Sequence, residues 1–140
     1  MTDARFYFEH EVESAVREHR AAELVLAFGE PRKGEGGRSS LPGDPTARAA
    51  ESAARARATL ASTEETIGEA LARIEGLRQV VGDHAIVLEM RHVDLMPWAD
   101  IAAQLGITTR TARRWRDVAC DWADTFGWAH VVQGVGSAQG

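Results

Sequence analysis

Two short helical patterns, separated by a single glycine, lie between Trp98 and Asp117 and constrain the fold of the whole chain. The apolar residues of the first pattern have i, i+3, i+4, i+7 spacing and are expected to be buried on one helix face: Trp98, Ile101, Ala102 and Leu105. Pro97 is expected at the first helical position. Gly106 follows the helix, where a left-handed conformation costs little without a Cβ, and Ile107 is expected to fill the turn. This pattern is typical of a helix-turn-helix.

The second helix of the motif is expected to begin at Thr108 or Thr109, because a threonine hydroxyl can accept a hydrogen bond from the first free N–H groups. The residues expected to point inward from it are Ala112, Trp115, Ala119, Trp122 and Phe126. Its first turns carry arginines and threonines, with no acidic residue before Asp117. These outward residues are the candidate binding site: Thr108, Thr109, Arg110, Arg113, Arg114 and Arg116.

A basic helix face is often only a solvated surface, and a purely structural helical module is therefore one interpretation of the arginines. Here, however, the cluster lies at the N-terminal end of the helix that a helix-turn-helix places in the major groove of DNA. Arginine is also well suited to guanine edges and phosphates. We therefore predict that the candidate residues bind double-stranded DNA.

The overall charge does not exclude DNA binding, although the chain of 140 residues has a formal net charge of −5. Phosphate contact requires positive charge, and the distribution of charge matters more than the sum. Acidic residues gather in the first predicted helix and along the middle one, whereas the C-terminal motif has a local excess of arginine. The length allows one domain, or a small domain with a helical arm.

The N-terminal half is predicted to form two helices. Apolar residues recur at alternating spacings of four and three between Arg5 and Phe28. A second helix is expected from Pro45 to Val81, with Asp44 as its cap. Its heptad is Ala53, Leu60, Ile67, Ile74 and Val81, accompanied by Ala49, Ala56, Ala70 and Leu77. Ser62 with Glu65 could form a capping box, but the heptad keeps its phase there, which favours one unbroken helix.

These elements together predict an all-α fold, with an N-terminal helical hairpin followed by a C-terminal three-helix domain of the helix-turn-helix type. The hairpin arm is expected at residues 1–82, with a mobile loop at 29–43. The DNA-binding domain is expected at 83–128, starting with a short helix from His84 to His92 that Asp83 caps. A flexible tail is expected at 129–140. The long helix has more apolar surface than the first helix can cover, which favours a homo-oligomer.

No catalytic or metal-binding pattern is present in the sequence, so we expect neither enzyme activity nor a cofactor. The five histidines are scattered, and no metalloprotease, phosphate-loop or nucleophile-elbow motif occurs. Cys120 is the only cysteine and is expected to fill the core. No apolar run could cross a bilayer and no signal peptide is evident, so a cytoplasmic protein without membrane contact is expected.

Three segments of the chain resemble the RinA/ArpU family of phage transcriptional regulators. They are the aromatic start at residues 7–11, the segment at 39–46, and the motif from Trp98 to Arg116 with its Arg-Thr-Ala-Arg-Arg-Trp-Arg core. The similarity spans Phe6 to Gly127. It implies a C-terminal part like sigma-factor region four and activation of late, packaging or lysis genes of a temperate phage or prophage. RNA polymerase is a further candidate partner, and direct contact with it is left open.

Two DNA-binding functions fit these features. The favoured one is a sequence-specific transcriptional activator. The alternative is a DNA-packaging protein of the terminase small-subunit kind, which also joins a helix-turn-helix to oligomerising helices. In such proteins the DNA-binding part commonly comes first in the chain, whereas here the motif comes last, which disfavours the alternative.

Overall fold

Every regular element in the described part of the chain is helical, so the protein is all-α as predicted. The computed structural model describes residues 3–30 and 45–131. Of the predicted loop at 29–43 only Gly29 and Glu30 fall in this part, and the predicted cap at Asp44 lies outside it. No helix in these ranges is both long enough and apolar enough to cross a membrane.

The first helix, α1, runs over residues 4–28 and changes its winding near the start. The Asp3 side chain caps it by accepting a hydrogen bond of 2.7 Å from the N–H of Phe6. A π-helical segment, Tyr7–Val12, separates the α-helical segments Ala4–Phe6 and Glu13–Phe28. The wider turn brings Tyr7, Phe8 and Val12 into the buried interior.

The second helix, α2, is the unbroken helix Pro45–Val81, as predicted. It packs along α1 in the opposite direction, because Ser52 bonds to Glu30 while Thr63, further along, meets His19. The predicted heptad lies at the edge of this contact, and Ile74 is its only fully buried member. The buried residues of α2 share only Ile74 with the heptad, and they are Ser52, Ala56, Thr63, Ala70, Ile74, Gly76 and Leu77.

Three shorter helices follow. The first, α3, covers residues 82–93 as a 3-10 segment Gly82–Ala85, an α-helical turn Ile86–Leu88 and a π-helical segment Glu89–Val93. Asp83 lies inside the 3-10 segment, and no side chain caps its start, so the predicted Asp83 cap is wrong. Helix α4 is Trp98–Leu105 and helix α5 is Thr109–Phe126.

Two buried clusters hold these helices together. The larger one joins α1, α2, α3 and α5, with Phe8, Ile74, Leu77, Leu88 and Ala119 among its members. It therefore draws on both the predicted arm and the predicted C-terminal domain. The smaller cluster consists of Val87, Met90, Ile101 and Ala112, and it joins α3, α4 and α5.

The end of the described chain differs from expectation. Phe126, predicted to point inward, is 54% exposed, and its ring lies against Trp122 with the centroids 4.6 Å apart. Ala123 occupies the buried position instead, and the helix ends at Gly127, which has a φ of 87°. Residues 128–131, most of them assigned to the flexible tail, form a helical turn that buries Val131 completely. The rest of the predicted tail lies outside the described residues.

Candidate nucleic-acid interface

The turn between α4 and α5 is closed by local hydrogen bonds. Gly106 has φ 71° and ψ 32°, the left-handed conformation that the sequence predicted. The N–H of Ile107 donates to the carbonyl of Ala102 at 3.0 Å, which closes the end of α4. At the start of α5, Thr108 accepts a hydrogen bond of 3.0 Å from the N–H of Thr111. Thr108 is therefore the cap, and this bond fixes which side chains the first turns of α5 present outward.

The start of α4 differs by one residue from the prediction. Pro97 has extended backbone and precedes the helix, and its carbonyl accepts from the N–H groups of Asp100 and Ile101. Helix α4 buries Ile101 and Ala102, whereas Trp98 and Leu105 are half-buried against the smaller cluster. The prediction of an inward face therefore holds, with its ends partly open to solvent.

Four of the six candidate residues share one exposed surface of α5. Thr109, Arg110, Arg113 and Arg114 line an open depression that ends at Asp117. In the described part of the chain, none of these arginines has a carboxylate partner. The guanidinium of Arg113 lies 5.6 Å from the centroid of the Trp98 ring. The depression therefore presents to solvent three guanidinium groups that have no ion-pair partner among the described residues, and Asp117 lies at its end.

Arg116 does not belong to this surface, although the sequence placed it among the outward residues. Only 5% of the residue is exposed. Its Nη1 donates to Glu9 at 3.2 Å and its Nε to Asp117 at 3.1 Å, so its charge is neutralised. The reason is the helical period, since Ala112, four residues before it, and Ala119, three residues after it, both face the interior. That spacing is visible in the sequence, whereas the partner in α1 is not.

Trp98 is surrounded by guanidinium groups, and one of them belongs to a residue that sequence reasoning did not select. Arg91, Arg113 and Arg116 lie 5.0, 5.6 and 5.1 Å from its ring centroid, within the range of cation–π attraction. Arg91 comes from α3, outside the two-helix motif. No periodic pattern identified it, because its place beside Trp98 depends on the turn between α3 and α4.

A second polar contact fixes α3 against α1. The buried ring of His92 stacks on Phe8, and its Nδ1 donates to Glu13 at 2.6 Å. Burial lowers the pKa of His92, and the hydrogen bond to Glu13 acts in the opposite direction without cancelling it. The imidazole is therefore neutral near pH 7, and its contribution here is structural.

Cys120 fills the core, as predicted. It is buried in α5, and burial raises the pKa of its thiol to about 12. Because the thiolate is the reactive form, this cysteine is chemically inert in the folded protein. Within residues 3–30 and 45–131, no group of three or more His, Cys, Asp or Glu side chains is arranged to hold a metal ion.

Comparisons with known protein families, with curated proteins and with solved structures found no match to the chain.

Proposed function

We propose that residues 82–126 form a helix-turn-helix domain and that the protein binds double-stranded DNA through the exposed face at the start of α5. The observation that carries this proposal is the contrast among the arginines. Arg110, Arg113 and Arg114 are exposed and lack carboxylate partners in the described part of the chain, whereas the buried Arg116 is paired with two carboxylates. Free guanidinium groups on a protruding helix suit phosphates and guanine edges.

The acidic composition of the protein fits this proposal because the charges are separated along α5. Asp117, Asp121 and Asp124 follow the arginines in the second half of the helix. DNA would be attracted to the first half and repelled from the second, so the helix would approach DNA by its N-terminal end. This is the end that a recognition helix places against base edges.

We further propose that the DNA-binding activity serves transcriptional activation in a phage or prophage-derived circuit for late or packaging genes. Support comes from the resemblance to the RinA/ArpU regulators, which also suggests RNA polymerase as a partner. Self-association is supported by apolar side chains that α1 and α2 leave exposed, including Leu24, Phe28 and Leu71. Two copies would bind two half-sites, and the second contact would profit from a high effective concentration.

The DNA-binding proposal is tested with a charge-matched pair of double variants. Arg110→Ala/Arg114→Ala removes two charges from the α5 surface, and Arg48→Ala/Arg57→Ala removes two exposed charges from α2. Affinity is measured by fluorescence anisotropy, first on a labelled mixed-sequence duplex and then on duplexes that the wild-type protein selects from a random pool. We expect the α5 variant to lose about tenfold or more on the selected duplexes, since a base-edge arginine contributes roughly 1 to 3 kcal/mol.

Equal binding by both double variants and the wild type would show that the arginines only solvate the helix. The regulatory role is tested separately by mapping bound DNA across the host and phage genomes. Peaks at promoters would support activation, whereas a peak confined to a packaging site would favour the terminase-like alternative.

A further inference from the structure

Two of the three guanidinium groups around Trp98 have no carboxylate partner. Arg116 is paired with Glu9 and Asp117, but Arg91 and Arg113 have no ion pair with any described residue. They come from different helices, α3 and α5, and converge on one indole ring. Both guanidinium groups therefore lie beside the same ring with N–H groups that no described carboxylate occupies, and an anion beside Trp98 could accept hydrogen bonds from them.

The guanidinium of Arg91 is held in place by the chain around it. Its Nη1 donates to the carbonyl of Met96 at 3.0 Å. That carbonyl is positioned by a tight connector, in which Leu95 has a φ of 57° and the N–H of Met96 donates to Met90. A side chain already fixed in this way loses little conformational entropy when it binds a ligand.

We propose that Arg91 and Arg113, held against Trp98, form a clamp for the phosphate backbone of DNA beside the groove that α5 enters. This inference rests on the proposed DNA binding and divides the arginines by role. Arg110 and Arg114 lie on the open face of α5 and contact the groove. Arg91 is held by its hydrogen bond to Met96, and Arg113 meets it at the Trp98 ring without an ion pair to any described residue, which suits a phosphate that sets the register of the protein on DNA.

The proposal predicts a particular effect of salt. Each phosphate contact releases condensed counterions, so the negative slope of log affinity against log salt decreases in magnitude by about 0.9 when one contact is removed. Arg91→Gln should therefore lower the magnitude of the slope by about this amount. It should also weaken binding on the order of tenfold at low salt, on selected and mixed-sequence duplexes alike. Arg57→Ala, an exposed arginine of α2, is the control with the same loss of charge and should leave the slope unchanged.

A second measurement on the wild-type protein avoids any folding defect of the variant. Single backbone positions of a selected duplex are replaced in turn by neutral methylphosphonate. We expect one or two adjacent positions to weaken wild-type binding, and Arg91→Lys, which keeps a charge without the guanidinium fork, to change the size of that loss.

The outcomes separate the clamp from the proposed function. If Arg91→Gln binds DNA with wild-type affinity and slope while Arg110→Ala/Arg114→Ala is impaired, DNA binding stands and the clamp is refuted. If Arg91→Gln does not fold, the methylphosphonate scan decides. The clamp is refuted if wild type and Arg91→Lys lose the same affinity at every position. If neither set of arginines affects binding, the proposed function itself fails.

Discussion

Glu9 and Arg116 join the first helix to the last through an ion pair of 3.2 Å between Glu9 Oε2 and Arg116 Nη1, across 107 residues of chain. The guanidinium is almost entirely buried, whereas Glu9 remains about one-third exposed. A buried charge is stable only if it is paired, so this contact helps to hold α5 against α1. The surface that we propose for DNA therefore depends on a helix at the other end of the chain.

Removing the arginine should cost more stability than removing its partner. Arg116→Ala removes a buried side chain and its contact with Trp98, and we expect the free energy of unfolding to fall by roughly 3 kcal/mol, although Glu9 keeps its ion pair with Arg5. Glu9→Gln should lower it by about 1 kcal/mol, because Asp117 still pairs with the guanidinium. Urea denaturation followed by circular dichroism measures both effects. The exposed Arg114→Ala should stay within about 0.5 kcal/mol of wild type, and an equal loss in that variant would contradict the assignment.

Gly106→Ala should destabilise the protein through backbone conformation alone. Nothing lies within 4 Å of a Cβ built on Gly106, but its φ of 71° costs an L-residue about 1 to 2 kcal/mol. Gly68→Ala is the matched control, since a Cβ there also meets open space and the residue is in the middle of α2. We expect Gly68→Ala to raise the free energy of unfolding by about 0.5 to 1 kcal/mol. The denaturation midpoint should fall for Gly106→Ala and rise for Gly68→Ala. A rise for Gly106→Ala would contradict the left-handed turn.

Trp115 and Phe126 should respond differently to truncation, although periodicity predicts both to be inward. Trp115 is half-buried, packs on the smaller cluster and contacts the ring of His84 at 5.0 Å between centroids. We expect Trp115→Ala to cost roughly 2 to 3 kcal/mol, somewhat less than a fully buried aromatic residue, and Phe126→Ala to cost less than about 1 kcal/mol. Thermal denaturation of the two variants tests this, and similar melting temperatures would argue against the register of α5.

Stability should fall as the pH is lowered below about 6.5, and His92 should account for part of the loss. Burial lowers the pKa of His92 in the folded protein, so between the folded and unfolded pKa values the unfolded chain binds more protons. The stability that depends on neutral His92 is therefore fully present above the pKa of the unfolded chain. It is lost as the pH falls towards the lower pKa of the folded protein. A second proton would enter Nε2, which is buried and has no hydrogen-bond partner among the described residues. The nearby charges are Glu13 and Glu9, which favour protonation, and Arg116, which opposes it.

Denaturation of the wild type and His92→Gln between about pH 8 and about pH 5 measures this contribution. The glutamine keeps a donor for Glu13 but does not titrate, so we expect a shallower dependence on pH in the variant. His10→Gln, which changes an exposed histidine of α1, serves as the control and should follow the wild type. Parallel curves for wild type and His92→Gln would refute the role of His92.

The helices and the turn at Gly106 were predictable because their signals are local. An apolar period, a glycine and a threonine cap act over a few residues, and the order of the residues determines them. The buried stripe of α2 was predicted only in part, since Ala56, Ala70, Ile74 and Leu77 were expected in the apolar pattern and Ser52 and Thr63 were not. Its small members, such as Ala56, Thr63 and Ala70, let α1 approach closely, and the larger heptad residues beside them, apart from Ile74, are only partly buried. Which of two adjacent stripes is buried depends on the partner helix, which the period of one helix does not specify.

The same limitation explains the errors in the candidate site. Arg116 was placed outward together with the other arginines of α5, and its partner Glu9 belongs to a distant helix. Arg91 was overlooked because it reaches Trp98 through a connector with left-handed backbone at Leu95. Residues whose place depends on contacts between helices need the structure, whereas the exposed arginines of α5 follow from its own period.

Because of the π-helical segment Tyr7–Val12, the contact between the first and last helices depends on the number of residues in α1 as well as on their identity. Such a segment amounts to one extra residue within an α-helix, and each residue of an α-helix turns the chain by about 100°. Deleting one residue there would rotate the start of the helix relative to Glu13 and would separate the backbone N–H of Ala4 from Asp124, to which it donates at 2.7 Å. Among related chains, a difference of one residue in this segment would therefore indicate a different junction between the first and last helices, even where every contacting side chain is the same.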